Sequence, residues 1–215
     1  MAVYQTEFSG NPTLGLYGLV TDNVSYIPTE IPKRQVERIS KALESEIKKA
    51  VFHNSSLLGL FGAANSKYLF VPEIISNAEL KTIGKKIVKI TGAFNTIGNL
   101  MLCNDKGCVL SPYLADKKYF LEKELKLKTG ATTISDLPFP GALSCVTNKS
   151  GIVHMDCKDS ELEILEKTLG VEFKRLEFYS GFPGAEILAN SKGLLTPKTL
   201  KGPELAEIQE GLKLF

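Results

Sequence analysis

The feature that most constrains this chain is an internal repeat of about 40 residues. A glycine, a short apolar run, a polar anchor residue, a small polar turn and a second apolar run recur five times, and the anchor is asparagine in four units and threonine in the first. The anchor residues of the five turns are Thr21, Asn65, Asn104, Asn148 and Asn190, which lie 44, 39, 44 and 42 residues apart. Because five near-equal units fill the 215 residues, we expect one domain without a linker. The predicted units are approximately residues 1–48, 49–86, 87–128, 129–170 and 171–215.

Each unit combines the pattern of a β-hairpin with that of a helix. Two apolar segments that flank a turn of Asn, Lys, Ser or Gly are typical of a hairpin. A short apolar strand leads into the next unit, for example at residues 50–52 and 171–174. Between hairpin and strand, apolar residues recur at helical spacing in four units. They are Val36, Ile39, Leu43 and Ile47; Leu80, Ile83 and Ile87; Leu162, Leu165 and Leu169; and Leu205, Ile208 and Leu212.

Such units cannot bury their apolar faces alone and must pack against neighbouring units. An open solenoid would need polar capping repeats at both ends, and the first and last units here are as apolar as the others. A β-propeller would need four strands per blade and no helix. We therefore expect an α/β fold in which five strand-hairpin-helix units close into a ring, with helices outside and short sheets around the axis.

Composition limits the classes of function that the chain can have. The net charge is +2, which argues against a strongly cationic nucleic-acid binder, although a local RNA contact is allowed. The sequence has no run of 18 apolar residues and no signal peptide at its start, so we expect a cytoplasmic protein without a membrane anchor. In a reducing cytosol the four cysteines, Cys103, Cys108, Cys145 and Cys157, are expected to be free, buried thiols.

Three segments resemble a known family. The third unit, with Ile97-Gly98-Asn99-Leu100 followed by residues 103–107 and 111–112, resembles the middle of the translation initiation factor 6 family. Residues 148–154 and 189–193 are similar to its fourth and fifth units. The fourth unit departs from the family pattern because Met155 stands where proline is common. The resemblance spans the whole chain and implies the pentein fold, a five-fold pseudosymmetric α/β propeller.

The resemblance also implies a function. Members of this family bind the large ribosomal subunit on the face that meets the small subunit, prevent the subunits from joining, and act in initiation and large-subunit maturation. The positions that match the family's binding-face motifs are Gly15, Ser55, Gly98, Asn99, Ala142 and Leu143. We expect contacts with a ribosomal protein and rRNA, no DNA or membrane partner, and a monomer, since a closed ring leaves few open sheet edges.

An enzyme is the alternative interpretation, because pentein folds also include guanidino-group hydrolases and amidinotransferases that use a cysteine nucleophile. By resemblance that cysteine belongs to the last unit, and residues 173–215 contain neither Cys nor His. His154, Asp156 and Cys157 are close in sequence, but alternation along an extended segment would place His154 and Cys157 on opposite faces. We therefore predict no catalytic residue, no cofactor and no metal site.

Overall fold

The computed structural model describes residues 3–81, 83–177, 179 and 181–214. Short strands and helices alternate along them, which confirms the mixed α/β class. The strands are β1 (Val3–Thr6), β2 (Val24–Pro28), β3 (Glu46–Ala50), β4 (Ala63–Ala64), β5 (Tyr68–Pro72), β6 (Lys86–Ile90), β7 (Met101–Cys103), β8 (Gly107–Leu110), β9 (Lys128–Ala131), β10 (Ser144–Val146), β11 (Gly151–Val153), β12 (Phe173–Arg175), β13 (Leu188–Ala189) and β14 (Leu194–Pro197). The helices are α1 (Leu14–Tyr17), α2 (Lys33–Leu43), α3 (Leu58–Phe61), α4 (Asn77–Leu80), α5 (Ile97–Leu100), α6 (Lys118–Glu124, preceded by a 3₁₀ helix at Pro112–Lys117), α7 (Pro140–Leu143), α8 (Asp159–Leu169), α9 (Pro183–Glu186) and α10 (Gly202–Gly211).

The described strands form five small sheets with one common plan. In four sheets an antiparallel hairpin is joined by a third, parallel strand, in the orders β4-β5-β6, β7-β8-β9, β10-β11-β12 and β13-β14-β1. In the remaining sheet β2 and β3 are parallel, and a bridge between Leu19 and Tyr26 stands in for the antiparallel partner. The third strand is the expected lead-in strand, which reaches its parallel position because a crossover segment separates it from the hairpin. The predicted bounds of 50–52 are wrong, because that strand is β3 at Glu46–Ala50.

The first strand of the chain completes the last sheet. β1 pairs in parallel with β14, with Val3 opposite Leu194 and Thr6 opposite Pro197. In the other four sheets the equivalent strand directly follows the helix that separates it from the earlier strands of that sheet. The first and last units are therefore joined by backbone hydrogen bonds.

The longer helices pack between sheets of neighbouring units. Ile39 of α2 packs in one core with Leu195 of β14, and Leu165 of α8 packs in another with Val109 of β8. Five of the four-residue helices, α1, α3, α5, α7 and α9, contact one another in chain order, and α9 contacts α1. Each buried Leu, Ile or Val contributes about 1.5–3 kcal/mol, so neighbouring units depend on each other for their stability.

Three of the four helices predicted from periodicity are confirmed as α2, α8 and α10. The prediction for the second unit is wrong beyond Leu80, because α4 has a single turn and Gly84 adopts a left-handed φ of +73° before Ile87 enters β6. Ile47 likewise lies in β3 and not on α2. Within the described ranges, no helix is long and apolar enough to cross a bilayer.

The expectation of four free cysteines is wrong for one pair. Cys103 of β7 lies directly opposite Cys108 of β8, with their Cα atoms 4.3 Å apart, and the two form a disulfide. Directly opposed residues of antiparallel strands bring their Cβ atoms within the reach of such a bond. Cys145 and Cys157 are free and buried, as expected.

Candidate functional site

The five short helices α1, α3, α5, α7 and α9, together with the loops that precede them, form one end of the molecule, which we call the helix face. Each of these helices contains one glycine that packs on the next helix. A Cβ atom built on any of them would lie far inside 3.0 Å of a carbonyl oxygen of its neighbour, a distance that real Cβ atoms do not show. The glycines and their neighbours run in a closed series: Gly15 on Gly184, Gly184 on Gly141, Gly141 on Gly98, Gly98 on Gly59 and Gly59 on Gly15.

Two of the predicted site residues, Gly15 and Gly98, belong to this glycine series. Gly15 is buried and Gly98 is half-buried. Both bring the backbone of one helix against the next, as glycine permits where two chains approach closely. Their place in the structure is to hold the helix face together rather than to present a side chain.

Asn99 follows Gly98 in α5 and is half-buried. Its backbone N–H donates to the carbonyl of Thr96 at 3.1 Å. Its side-chain amide makes no hydrogen bond to another residue in the described part of the chain, which leaves one donor group and one acceptor on the helix face.

Ser55, Ala142 and Leu143 occupy three different settings. Ser55 is half-buried, and its Oγ accepts a hydrogen bond from the backbone N–H of Leu57 at 3.2 Å, just before α3. Ala142 is half-buried in α7. Leu143 is 1% exposed and packs in a core with Leu102 and Val153. The helix face therefore offers Ser55, Asn99 and Ala142 to solvent, while Leu143 lies beneath it.

The loops that precede the short helices also carry exposed apolar side chains, which were not predicted from the sequence. Phe139 and Phe182 immediately precede α7 and α9 and are 38% and 49% exposed. Leu137 and Phe94 are also exposed, and Phe94 stacks on Tyr113 with ring centroids 5.0 Å apart. The repeated triplet Phe-Pro-Gly at 139–141 and 182–184 is a sequence signal that could have revealed two of these positions. Several exposed apolar side chains on the loops of one face are typical of an interaction surface.

The loops of the helix face are held by carboxylates from the crossover segments. Glu161 of α8 accepts hydrogen bonds from the backbone N–H groups of Ser135 at 2.8 Å and Asp136 at 3.2 Å and from the Thr133 hydroxyl at 2.6 Å. Ser135 and Asp136 both have positive φ, so the carboxylate stabilises a tight left-handed turn. Burial raises the pKa of Glu161, but these hydrogen bonds outweigh burial and hold the pKa below its usual value. Glu79 holds the equivalent turn before α3 by accepting from the N–H of Asn54.

The hairpin turns form a second, polar end. In the second, third and fifth units the Oδ1 of Asn65, Asn104 and Asn190 accepts the N–H groups of the residues two and three positions on, which confirms these asparagines as turn formers. The same prediction is wrong for Asn148. In that turn the hydroxyl of Thr147 accepts the two N–H groups, so the true anchor lies one residue earlier.

Asn148 instead bridges two carboxylates. Its Nδ2 donates to Asp22 at 2.8 Å and to Asp105 at 2.7 Å. Each aspartate also accepts the backbone N–H of a serine in a neighbouring unit, Ser191 for Asp22 and Ser66 for Asp105. The cluster therefore joins turns of all five units through satisfied hydrogen bonds.

The described residues hold no assembled nucleophile or metal site. Burial raises the pKa of Cys145 to about 12, and burial raises that of Cys157 to about 11. Both thiols are therefore protonated at neutral pH and are poor nucleophiles. His154 Nδ1 contacts Asp156, 3.7 Å away, and shows no hydrogen bond to Cys157 within the described residues. No group of three or more His, Cys, Asp or Glu able to hold a metal occurs in the part of the chain that is described.

Comparison with known proteins extends the resemblance over the full chain. The sequence model of the eIF-6 family matches residues 3–211. The chain is 35% identical to translation initiation factor 6 of Methanocaldococcus jannaschii, over 99% of both chains. It is 30% identical to that of Thermococcus onnurineus, over 99% of this chain and 98% of the relative, and 28% identical to that of Pyrococcus abyssi, over 100% of both. By this match across nearly its whole length, the chain belongs to the eIF-6 family.

Proposed function

We propose that this protein is a non-catalytic translation factor that binds the large ribosomal subunit on its intersubunit face and prevents the small subunit from joining. Its family membership and the names of its relatives support a role in translation initiation. The observation that carries the binding proposal is that the loops of the helix face bear several exposed apolar side chains, including Phe139 at 38% and Phe182 at 49% exposure. The same activity would protect a maturing large subunit from early joining.

The proposed mechanism is steric and requires a rigid obstacle. We infer a single domain of five units closed into a five-fold pseudosymmetric propeller, the pentein fold, with the unit bounds given above; residues 1, 2 and 215 at its ends lie outside the described residues. The cyclic contacts of the five short helices and the pairing of β1 with β14 support this inference. Packing between neighbouring units makes such a ring resistant to bending.

The proposed ribosome-binding residues divide into two roles. Ser55, Asn99 and Ala142 contact the subunit directly, and the free amide of Asn99 supplies both donor and acceptor. Gly15, Gly98 and Leu143 support the face from within. Around them the exposed aromatic side chains would form the apolar centre typical of a protein–protein interface. A ribosomal protein is therefore the main partner, with rRNA at the rim. We further propose that the protein is a cytoplasmic monomer with no DNA or membrane partner and no cofactor.

Co-sedimentation tests the proposal. Purified large and small subunits are mixed with the protein, separately and together, and resolved on a sucrose gradient. We expect co-migration with the large subunit and a reduced fraction of joined ribosomes. A failure to bind either subunit at micromolar concentration would reject the proposal.

Variants of the helix face sharpen this test. Phe139→Ala with Phe182→Ala removes two exposed rings and is expected to weaken large-subunit binding at least tenfold, as loss of a buried interface aromatic does. Asn99→Arg is expected to have a similar effect through bulk and charge. The matched control is Tyr119→Ala, which removes an aromatic ring that is 66% exposed on α6, outside the helix face. Equal loss in the control would show that the helix face is not the binding site.

The enzyme alternative receives no specific support. A guanidino-group enzyme would need a thiolate near a histidine, and the two described free thiols have raised pKa values. We therefore propose that the protein acts without chemistry. Incubation with guanidino compounds such as arginine, followed by an assay for released ammonia, is expected to show no turnover.

A further inference from the structure

An open groove with a volume of about 650 Å³ runs along the outer edge of β1. Residues of β1 and of the loop after it form one wall. Arg34 and Arg38 of α2, together with Glu30, form the other, and Lys198 closes one side. The groove lies at the seam where the first strand of the chain meets the last unit.

One wall of this groove is the edge of a sheet. Within the described residues β1 pairs with β14 on one side, and its other side lines the groove through Tyr4, Gln5 and Thr6. An edge strand carries N–H and C=O groups that a further extended chain can pair with. Strand addition of this kind is a recurrent mode of peptide recognition.

The opposite wall carries two arginines without partners. Arg34 and Arg38 are exposed, and neither makes a hydrogen bond or ion pair in the part of the chain that the structure describes. Arg175 offers a contrast, since its guanidinium contacts Asp159 at 2.6 Å. Arg34 and Arg38 are four residues apart on a helix, a rise of about 6 Å. Alternate residues of an extended strand are about 6.7 Å apart and point to the same side.

The charges of the groove favour a peptide over a nucleic acid. Glu7 and Glu30 also line the groove, and Glu7 pairs with Lys198 at 3.4 Å. A continuous row of phosphates would pass close to both carboxylates, whereas a peptide can place single acidic side chains opposite the two arginines. Carboxylates form two parallel hydrogen bonds with a guanidinium, which adds geometric selectivity.

We propose that this groove binds an extended acidic segment of a protein partner. The segment adds as a strand to the outer edge of β1 and directs acidic side chains at alternate positions to Arg34 and Arg38. This inference does not depend on the proposed ribosome function, because it rests on the strand edge and the unpaired arginines alone.

The probe is a fluorescently labelled eight-residue peptide that alternates Glu and Thr, titrated into the full-length protein and followed by anisotropy. A second peptide has proline at two of the central threonine positions, which keeps the charge and removes two backbone donors. A third alternates Lys and Thr, and a short poly-uridine RNA represents the nucleic acid. Amide NMR shifts of ¹⁵N-labelled protein locate the binding site.

We expect saturable binding of the Glu-Thr peptide, with shifts at the amides of β1 and α2. Arg34→Ala with Arg38→Ala is expected to weaken binding about tenfold, equivalent to about 1.4 kcal/mol. The control Lys86→Ala with Lys89→Ala removes two positive charges from β6, another edge strand, and is expected to leave binding unchanged.

Several results would overturn the inference. They are equal binding of the proline peptide, tighter binding of the RNA, shifts confined to other strands, or no effect of the arginine variants. Absence of saturable binding at millimolar peptide has the same consequence. The arginine variants are also tested for co-sedimentation with the large subunit, and retained co-migration shows that a failed peptide result leaves the proposed function intact.

Discussion

Gly98 shows what the helix face requires of a single residue. A methyl group at this position would collide with the backbone oxygens of Gly59 and Gly62, which belong to the neighbouring unit and have no side chain that could move aside. We expect Gly98→Ala to lower the free energy of unfolding by about 3 kcal/mol, the upper end of overpacking effects. The midpoint of urea unfolding measures this loss.

A second glycine provides the matched control. Gly202 is the first residue of α10, and nothing lies within 4 Å of a Cβ atom built on it. Gly202→Ala is therefore expected to leave stability unchanged or to raise it by up to about 1 kcal/mol, since alanine favours helix. If both variants unfolded at the same urea concentration, the result would contradict the close backbone packing that we describe for the glycine series.

The anchor residues of the hairpin turns show how far the role of a single residue could be predicted from the sequence. Asn104 could be predicted as a turn former because its short amide suits a tight connection. Its second role, in joining neighbouring units, could not be predicted. Nδ2 of Asn104 donates to the carbonyls of Thr147 and Leu169, which lie more than forty residues away in the chain. The shift from Asn148 to Thr147 has a similar cause, since a threonine hydroxyl can accept the same N–H groups and the sequence offered both residues side by side.

At the scale of elements, Glu161 ties α8 to a turn of the helix face. Its pKa is lower in the folded protein than in the unfolded chain, where it is about 4.3. The stabilisation by this carboxylate is therefore complete above the unfolded pKa and is lost as pH falls through the folded pKa. We expect Glu161→Gln to cost about 2 kcal/mol at pH 7, in the range of hydrogen bonds to a charged group, and less at pH 3. Urea unfolding across pH 3–7 provides the measurement.

Glu163→Gln is the control for this prediction. Glu163 lies on the same helix, is exposed, and makes no hydrogen bond or ion pair among the described residues. Its replacement is expected to change stability by less than about 0.5 kcal/mol at every pH, as surface substitutions usually do. A Glu161→Gln penalty that stayed constant from pH 7 to pH 3 would contradict the hydrogen-bonded role of the carboxylate.

The disulfide in the hairpin of β7 and β8 predicts how many thiols react with a thiol reagent. Since Cys103 and Cys108 are bonded and Cys145 and Cys157 are buried, the native protein is expected to react slowly with a thiol reagent. Denaturation without reductant should expose two thiols, and reduction should raise the count to four. Four reactive thiols in the unreduced, denatured protein would show that the disulfide is not formed.

Elements differ in how well the sequence predicts them. The helices α2, α8 and α10 each span ten or more residues, so their apolar residues recur often enough to show a helical period. The five helices of the helix face have four residues each, which is too short for a period to appear, and their Gly and apolar residues also suit a strand. The repeated Phe-Pro-Gly triplet could mark Phe139 and Phe182, but their exposure could not be predicted, because it depends on their place before these short helices.

At the scale of the whole molecule, stability depends on contacts between units. Each core draws residues from neighbouring units, and the hairpin turns are joined across units by the bridge of Asn148 to Asp22 and Asp105. An open repeat array can unfold from its ends, because terminal units have one neighbour. Here the first unit and the last contact each other, so both have two neighbours. The proposed role as a rigid obstacle between ribosomal subunits would benefit from this arrangement, since neither terminal unit lacks a neighbour.

The pairing of β1 with β14 is therefore the contact whose loss should matter most to the whole molecule. Removal of residues 1–6 would uncover the edge of β14 while leaving every other sheet intact. We expect the free energy of unfolding to fall by about 5 kcal/mol, since backbone pairing and the partly buried Val3 and Tyr4 are lost together. A synthetic peptide of residues 1–8, added at millimolar concentration, should restore part of the loss, whereas a scrambled peptide should not. Calorimetry measures both effects, and a truncated protein that unfolded at the original temperature would show that closure of the first unit on the last contributes little to stability.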